Sequence, residues 1–157
     1  MSVNAIADML DDTLWGREFD RDEVEVISHY LFIHSYKKDE FIFREHDRQD
    51  YMAFITSGLV HIVKEREGER PKVISTLKAR THFGEMALID NEPRSATAMA
   101  GQDVSLLVLT ADNFEAVLRE HPLLGIKILK KVARIISRRL RMTTGMLVSD
   151  SSLDYLC

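Results

Sequence analysis

Residues 81–100, THFGEMALIDNEPRSATAMA, place Gly84 and Glu85 on one side of a short turn made by Asp90, Asn91, Glu92 and Pro93. Arg94, Ser95 and Thr97 stand on the other side. An acid, an arginine and two hydroxyls therefore share a segment otherwise filled with small and apolar side chains. The run Phe83 to Leu88 reads as a glycine-started helical turn between strands. Gly84 admits an unusual backbone angle and leaves no side chain in front of the N–H groups of Glu85, Met86 and Ala87. Such groups at a helix N-terminus form an anion site. Arg94, returning across the turn, can hold the same anion through two hydrogen bonds of its planar fork, and Ser95 adds a hydroxyl or its backbone N–H. The chemistry is that of a pocket for one phosphate.

Glu85 narrows the ligand. A carboxylate beside bare inorganic phosphate is repulsive, so Glu85 either pairs with Arg94 or Arg139 or accepts from a ligand hydroxyl. A ribose hydroxyl next to a phosphodiester satisfies both the acid and the arginine. The alternative is an ordinary barrel turn closed by a Glu85–Arg94 ion pair.

Around this segment, residues 40–110 are short stretches rich in Ile, Val, Phe, Thr and Leu, separated by charged or glycine-containing turns. Strands are expected at Glu40–Arg44, Tyr51–Thr56, Leu59–Lys64, Val73–Leu77, Ser95–Ala100 and Val104–Leu109, with a turn at Ser57-Gly58 and a charged hairpin at Glu65–Arg70 carrying Gly68. Many short strands in one compact domain mean a sandwich or small barrel. Upstream, Thr13, Leu14, Trp15 and Phe19, then Val24, Ile27 and Leu31, read as helix, with a break near Ser35 to Asp39. Downstream, Thr110 caps a short helix through Leu118, and His121-Pro122 marks a boundary. From Leu123 the residues Ile126, Leu129, Ala133, Ile136, Leu140, Thr143 and Leu147 form an apolar stripe, widened by Val132 and Ile135. A helix of up to about 24 residues, around 36 Å, exceeds what a small barrel needs as cover. Its near-heptad seam implies a parallel dimer.

At 157 residues the chain suits one domain, with 45% apolar and 29% charged residues, ordinary for a soluble protein. It has no apolar run long enough for a membrane span and no secretory leader, so a cytoplasmic protein is expected. The single cysteine, Cys157, excludes an internal disulfide framework and a multi-cysteine metal site. The net charge of −4 is unevenly placed: residues 8–25 are rich in Asp and Glu, residues 127–141 in Lys and Arg. The basic helix is either a nucleic-acid contact or the solvated face of an amphipathic helix.

The run GEMALIDNEPRSAT, residues 84–97, closely resembles the phosphate-binding cassette of the cyclic nucleotide-binding domain family, which includes bacterial catabolite activator proteins and the regulatory subunits of protein kinase A. By this resemblance Gly84 and the backbone at Met86 and Ala87 meet the cyclic phosphate, Glu85 accepts from the ribose 2′-OH, and Arg94 with Ser95 binds the exocyclic oxygens. Residues 138–144, RRLRMTT, resemble the ligand-proximal part of the catabolite activator's dimer helix. There Arg139 is expected to approach Glu85, Thr143 to reach the adenine amino group, and Thr144 to do so from the other subunit. The implied fold is mainly β with flanking helices, a double-stranded β-helix (jelly roll) with N-terminal helices and a long C-terminal dimerisation helix. Residues 1–147 are expected to form the domain, with the dimer helix at 122–147 and a flexible tail at 148–157. The implied ligand is cAMP, favoured over cGMP by Thr143 and Thr144. The implied function is a non-enzymatic sensor that acts through a homodimer on a separate effector protein.

Two departures stand out. The family commonly has glycine before the second strand and again after it, where this chain has Asp39 and His46; aspartate tolerates a left-handed position at modest cost. A transcription factor of this class also continues into a helix-turn-helix domain, and this sequence ends at residue 157, so DNA binding by this chain is not expected. A truncated or degenerate regulator of the catabolite activator class is the alternative. Enzyme readings find little support: the six histidines lie scattered with no metal-ligand spacing. His82 reads as a structural or rim histidine, and nothing near Gly84 to Arg94 supplies an activated water.

Overall fold

The computed structural model describes residues 1–149, and side chains through residue 145. Helix α1 (Val3–Asp11), a 3-10 turn (Gly16–Glu18) and α2 (Arg21–Ser28) precede the strands. These are β1 (Phe32–Tyr36), β2 (Phe41–Phe43), β3 (Tyr51–Ser57), β4 (Leu59–Lys64), β5 (Lys72–Lys78), β6 (His82–Phe83), β7 (Thr97–Ala100) and β8 (Val104–Thr110). A second 3-10 turn, Glu85–Leu88, follows β6, and α3 (Ala111–Glu120) and α4 (Pro122–Ser149) close the described chain. The strands form two antiparallel four-stranded sheets, ordered β1-β8-β3-β6 and β2-β7-β4-β5.

The first sheet is covered on both sides, which explains why β3 and β8 are almost continuously apolar rather than alternating. In β3, Tyr51, Ala53 and Ile55 face the space between the sheets, while Met52 and Phe54 point into a second core built with the helices. In β8, Leu106 and Val108 take the first side and Leu107 and Leu109 the second. Trp15 stacks 4.9 Å from Phe54, so the N-terminal segment is anchored on this outer face.

Helix ends follow local rules. Asp20 and Glu23 form a reciprocal capping box at α2, with Glu23 N to Asp20 Oδ1 at 2.9 Å and Asp20 N to Glu23 Oε1 at 3.1 Å. The Thr110 hydroxyl accepts from Asn113 N at 3.1 Å, as the sequence predicts. Thr13 to Phe19 differs from the helix expected there. The Thr13 hydroxyl donates to Leu10 O at 2.6 Å and accepts from Gly16 N at 3.1 Å, which turns the chain out of α1. Strand β1, for which no strand was expected, runs from just after the helix read to Leu31 into the start of the break expected near Ser35 to Asp39. It is a sheet edge with only Ile33 and Tyr36 partly covered, so it carries little alternation to read.

Asp39 and His46, the two positions where a glycine was missing, adopt φ of 70° and 73°. Both turns therefore keep the left-handed geometry without glycine. Each is held by its amide: Asp39 N to Ala100 O at 2.7 Å and His46 N to Arg94 O at 2.8 Å. The second bond ties the β2–β3 loop directly to the arginine of the cassette.

The charge asymmetry also has a structural account. Lys127 Nζ lies 2.6 Å from Glu23 Oε1, and Lys131 Nζ 2.6 Å from Glu18 Oε1. Part of the basic helix thus neutralises the acidic N-terminal segment. Helix α4 carries two apolar faces rather than one broad stripe. Leu124, Ile128 and Val132 are buried in the domain, whereas Ile126, Leu129, Ala133 and Leu140 are exposed. No helix among the described residues is long and apolar enough to cross a membrane. Helix α4 is described to Ser149, and residues 150–157 of the expected tail, with Cys157, lie outside the described residues.

Candidate functional site

A cleft of about 400 Å³ opens between the cassette, β4, β5 and α4. That volume lies at the lower end of the range for small-molecule sites, roughly 300–1,000 Å³. Gly84, Glu85, Met86, Arg94, Ser95 and Arg139 line it, so six of the nine residues singled out from the sequence meet in one place. Its apolar walls include Phe43, Ile62, Leu77 and Phe83.

Gly84 adopts φ 81° and ψ 17°, the left-handed conformation expected of the turn. A Cβ here would stand 2.7 Å from Arg94 Nη1 and 2.8 Å from Tyr51 O, so close approach excludes a side chain as firmly as the backbone angle does. The turn that follows is a single 3-10 turn. Ala87 N donates to Gly84 O at 3.1 Å, and Ala87 is buried away from the cleft lining. The expectation of three free amides is corrected here, because i→i+3 closure uses the third; those of Glu85 and Met86 precede it. Met86 is half exposed at the cleft.

Arg94 is 6% exposed, an unusual position for a guanidinium. Its carbon lies 4.1 Å from the Phe43 ring centre and 4.7 Å from that of Tyr51, so two aromatic faces hold the plane in place. Nη2 donates to Tyr51 O at 2.7 Å, while Nε is buried without a partner. Among the described residues no carboxylate forms an ion pair with it. Burial pulls the arginine below its ordinary pKa range, against the fields of Tyr51, Asp50 and Glu85.

Glu85 is 1% exposed and has no contact of ion-pair length with Arg94, so the closed-turn alternative does not describe this segment. It pairs instead with Arg139, Nη1 to Oε2 at 2.7 Å and Nη2 to Oε1 at 3.2 Å, and Oε1 also meets His82 Nδ1. Burial raises the Glu85 pKa, but the hydrogen bond and field of His82 and the charge of Arg139 outweigh it and hold the carboxyl below its ordinary value. Glu85 is thus an ionised acceptor at neutral pH.

The hydroxyls of Thr143 and Thr144 donate to Arg139 O and Leu140 O, each at 2.9 Å, and neither residue lines the cleft of this single chain. Thr97 is fully buried in β7, where its hydroxyl accepts from Glu45 N at 3.0 Å, rather than facing the cleft. Sequence reasoning missed the bond from Arg94 to Tyr51, which joins residues far apart in the chain and leaves no local signal. It read His82 as a structural or rim histidine and missed its contact with Glu85, although the i, i+3 spacing was there to read. Among the described residues no group of three His, Cys, Asp or Glu side chains is placed to hold a metal ion.

A buried cation and a buried anion, each on its own turn and facing one cleft, suit a ligand that is anionic at one end and hydroxylated at the other. Known proteins resemble this chain. The family described as "Cyclic nucleotide-binding domain" matches residues 33–121, the strands, the cassette and α3. The chain is 30% identical over 135 residues to the "Cyclic AMP receptor protein" of Thermus thermophilus, covering 86% of this chain and 58% of that protein. It is 33% identical over 95 residues to human "cGMP-dependent protein kinase 2", covering 59% of this chain and 12% of the kinase. The crystal structure of a cyclic nucleotide-binding domain from Methylobacillus flagellatus superposes with a TM-score of 0.77 at 25% identity, covering 94% of this chain and 83% of the other. The chain thus spans less than two thirds of the length of these curated relatives. With more than half of its residues matched in sequence and nearly all of them in fold, the chain belongs to the cyclic nucleotide-binding domain family.

Proposed function

We propose that the protein is a non-enzymatic cytoplasmic sensor of cAMP, with cGMP as the second candidate, and that it signals through a homodimer to a separate effector. Domains of this family are non-catalytic modules that bind a cyclic nucleotide. The observation that carries the reading is Arg94: a buried guanidinium with a partnerless Nε beside a cleft, and no carboxylate paired with it among the described residues. An unpaired buried charge is expensive, and a cyclic phosphate entering the cleft offsets that cost. In this reading Gly84, Met86 and Ser95 surround the phosphate with Arg94, and Ala87 supports the turn through its bond to Gly84. Glu85 takes the ribose hydroxyl, and Arg139 closes the site from α4. Thr143 and Thr144 lie one turn beyond Arg139, and after rotating off their own helix carbonyls they supply hydroxyls to an adenine amino group. The name of the Thermus relative supports cAMP, and the human kinase keeps cGMP in view. The decisive measurement is titration calorimetry with cAMP, cGMP and cyclic dinucleotides. Micromolar or tighter binding of cAMP is expected, and no heat with any of them overturns the ligand assignment.

The two sheets make the jelly roll of this domain, and α4 is its dimerisation helix. Ile126, Leu129, Ala133, Ile136 and Leu140 recur at spacings of 3 and 4, and Ile126, Leu129 and Leu140 are 46%, 40% and 65% exposed in the single chain. A second copy of α4 covers them. Leu129→Glu is expected to raise the dimer dissociation constant at least tenfold, read by sedimentation equilibrium, with an unchanged unfolding midpoint for the monomer. A wild-type chain that sediments as a monomer at tens of micromolar removes the dimer from this account.

A second reading takes the chain as the sensor part of a catabolite-activator-type regulator, supported by the extent of the Thermus match. Direct DNA contact through α4 is disfavoured, since Lys127 and Lys131 are engaged by Glu23 and Glu18. Salt-dependent DNA binding by this chain reverses that preference.

A further inference from the structure

We infer that His82 is a positioning residue that orients the Glu85 carboxylate toward a ligand's sugar hydroxyl; the inference rests on reading the cleft as a cyclic nucleotide site. His82 sits on β6, paired with β3 at Phe54, and its ring stands edge-on to the fully buried Phe54 ring with centroids 6.3 Å apart. The imidazole is 17% exposed, and both its backbone and its plane are tied to the first sheet. From there Nδ1 meets Oε1 of Glu85. Glu85 is ionised and can only accept, so Nδ1 carries the hydrogen and the tautomer is set by the carboxylate.

The other support of Glu85 is of a different kind. Arg139 comes from α4, is 52% exposed, and spans the carboxylate with Nη1 on Oε2 and Nη2 on Oε1. A half-exposed arginine at the end of a long side chain holds its partner weakly. With Arg139 alone, the carboxylate follows the guanidinium and the helix that bears it. With His82, one oxygen is fixed to the sheet whatever α4 does. Three acceptor positions of the carboxylate are then used, and of roughly four lone-pair sites one remains for a ligand hydroxyl. His82 thus gives Glu85 a defined direction in the cleft before any ligand arrives, which limits the ordering cost of binding.

The test compares cAMP with 2′-deoxy-cAMP, which lacks the hydroxyl in question, on the full chain by calorimetry. Wild type is expected to prefer cAMP. His82→Leu, which removes the donor, is expected to weaken cAMP by about tenfold, one charge-assisted hydrogen bond's effect, and to leave 2′-deoxy-cAMP within about twofold. His82→Asn, whose amide nitrogen stands where Nδ1 was, is expected to restore most of the preference. If His82→Leu does not fold, His82→Gln, which shifts the donor to the Nε2 position, must show the same collapse of the ratio. Equal losses for both ligands make His82 a structural residue and overturn the inference, as does an unchanged preference. A wild-type chain that binds neither ligand overturns the cyclic nucleotide reading itself and this inference with it.

Discussion

Arg94→Met is expected to weaken cAMP binding by roughly 10- to 100-fold while leaving the ligand-free domain as stable as wild type or more so. The two halves of this result have one cause. In the ligand-free chain Arg94 is buried between Phe43 and Tyr51 with no carboxylate partner among the described residues. Replacing even a paired buried charge and its counter-ion by apolar side chains of similar volume is often neutral or stabilising, by about 1–4 kcal/mol, and Arg94 lacks the compensation of a pair. Against that stands the loss of the bond to Tyr51 O, about 1 kcal/mol, and of the two aromatic contacts, which a thioether partly replaces. With ligand present the balance reverses, because the phosphate loses hydrogen bonds to a charged group, typically about 1.5–3 kcal/mol. Calorimetry and urea unfolding of the same samples check both halves. A variant that binds cAMP normally but unfolds several kcal/mol more easily identifies Arg94 as a pin between the cassette and β3, not as an anion group.

Gly84→Ala is expected to cost about 2–4 kcal/mol of stability and to lower ligand affinity together with it. An L-residue in the left-handed region costs about 1–2 kcal/mol. The remainder comes from the new methyl, 2.8 Å from the carbonyl of Tyr51, which lies in the buried part of β3 and cannot yield cheaply, and 2.7 Å from Arg94 Nη1, which can. Moving Arg94 aside is what links the stability loss to the affinity loss. Gly68→Ala supplies the control. Its φ is 77°, but nothing lies within 4 Å of a Cβ there, so only the backbone cost of about 1–2 kcal/mol applies. Equal losses at the two glycines, read from urea midpoints at constant slope, show that close approach at Gly84 is not a constraint.

Much of the site was legible because its parts are local. The glycine turn, the proximity of Arg94 and Ser95 across Asp90–Pro93, the Thr110 cap and the hairpin around Gly68 depend on residues within a few positions of one another. Asp39 and His46 were legible only as missing glycines. The structure adds that their backbones are left-handed all the same, held by bonds to Ala100 and Arg94. What local reading misplaced was decided elsewhere in the chain. Thr13 to Phe19 carries apolar residues that suit a helix, yet the chain turns at Thr13 and Trp15 packs on Phe54 with Phe19 against Trp15. Strand β1, Phe32–Tyr36, is mostly exposed and carries little alternation, and it forms by pairing with β8 along its whole length.

The sequence by itself determined the family, the cassette, the alternation of short strands and the long amphipathic α4, since each is written in spacings shorter than one element. Only the tertiary structure decided who pairs with whom. Glu85 could have met Arg94, nine residues further along the same cassette, but it meets His82 and Arg139. Arg94 meets a β3 carbonyl and two aromatic faces instead. Likewise the single stripe read on α4 became a buried face and an exposed one once the domain's curvature chose which residues to cover. The physical reason is the same in each case: a charge or an apolar face is satisfied by whatever lies beside it in space, and that neighbour is fixed by the packing of distant elements.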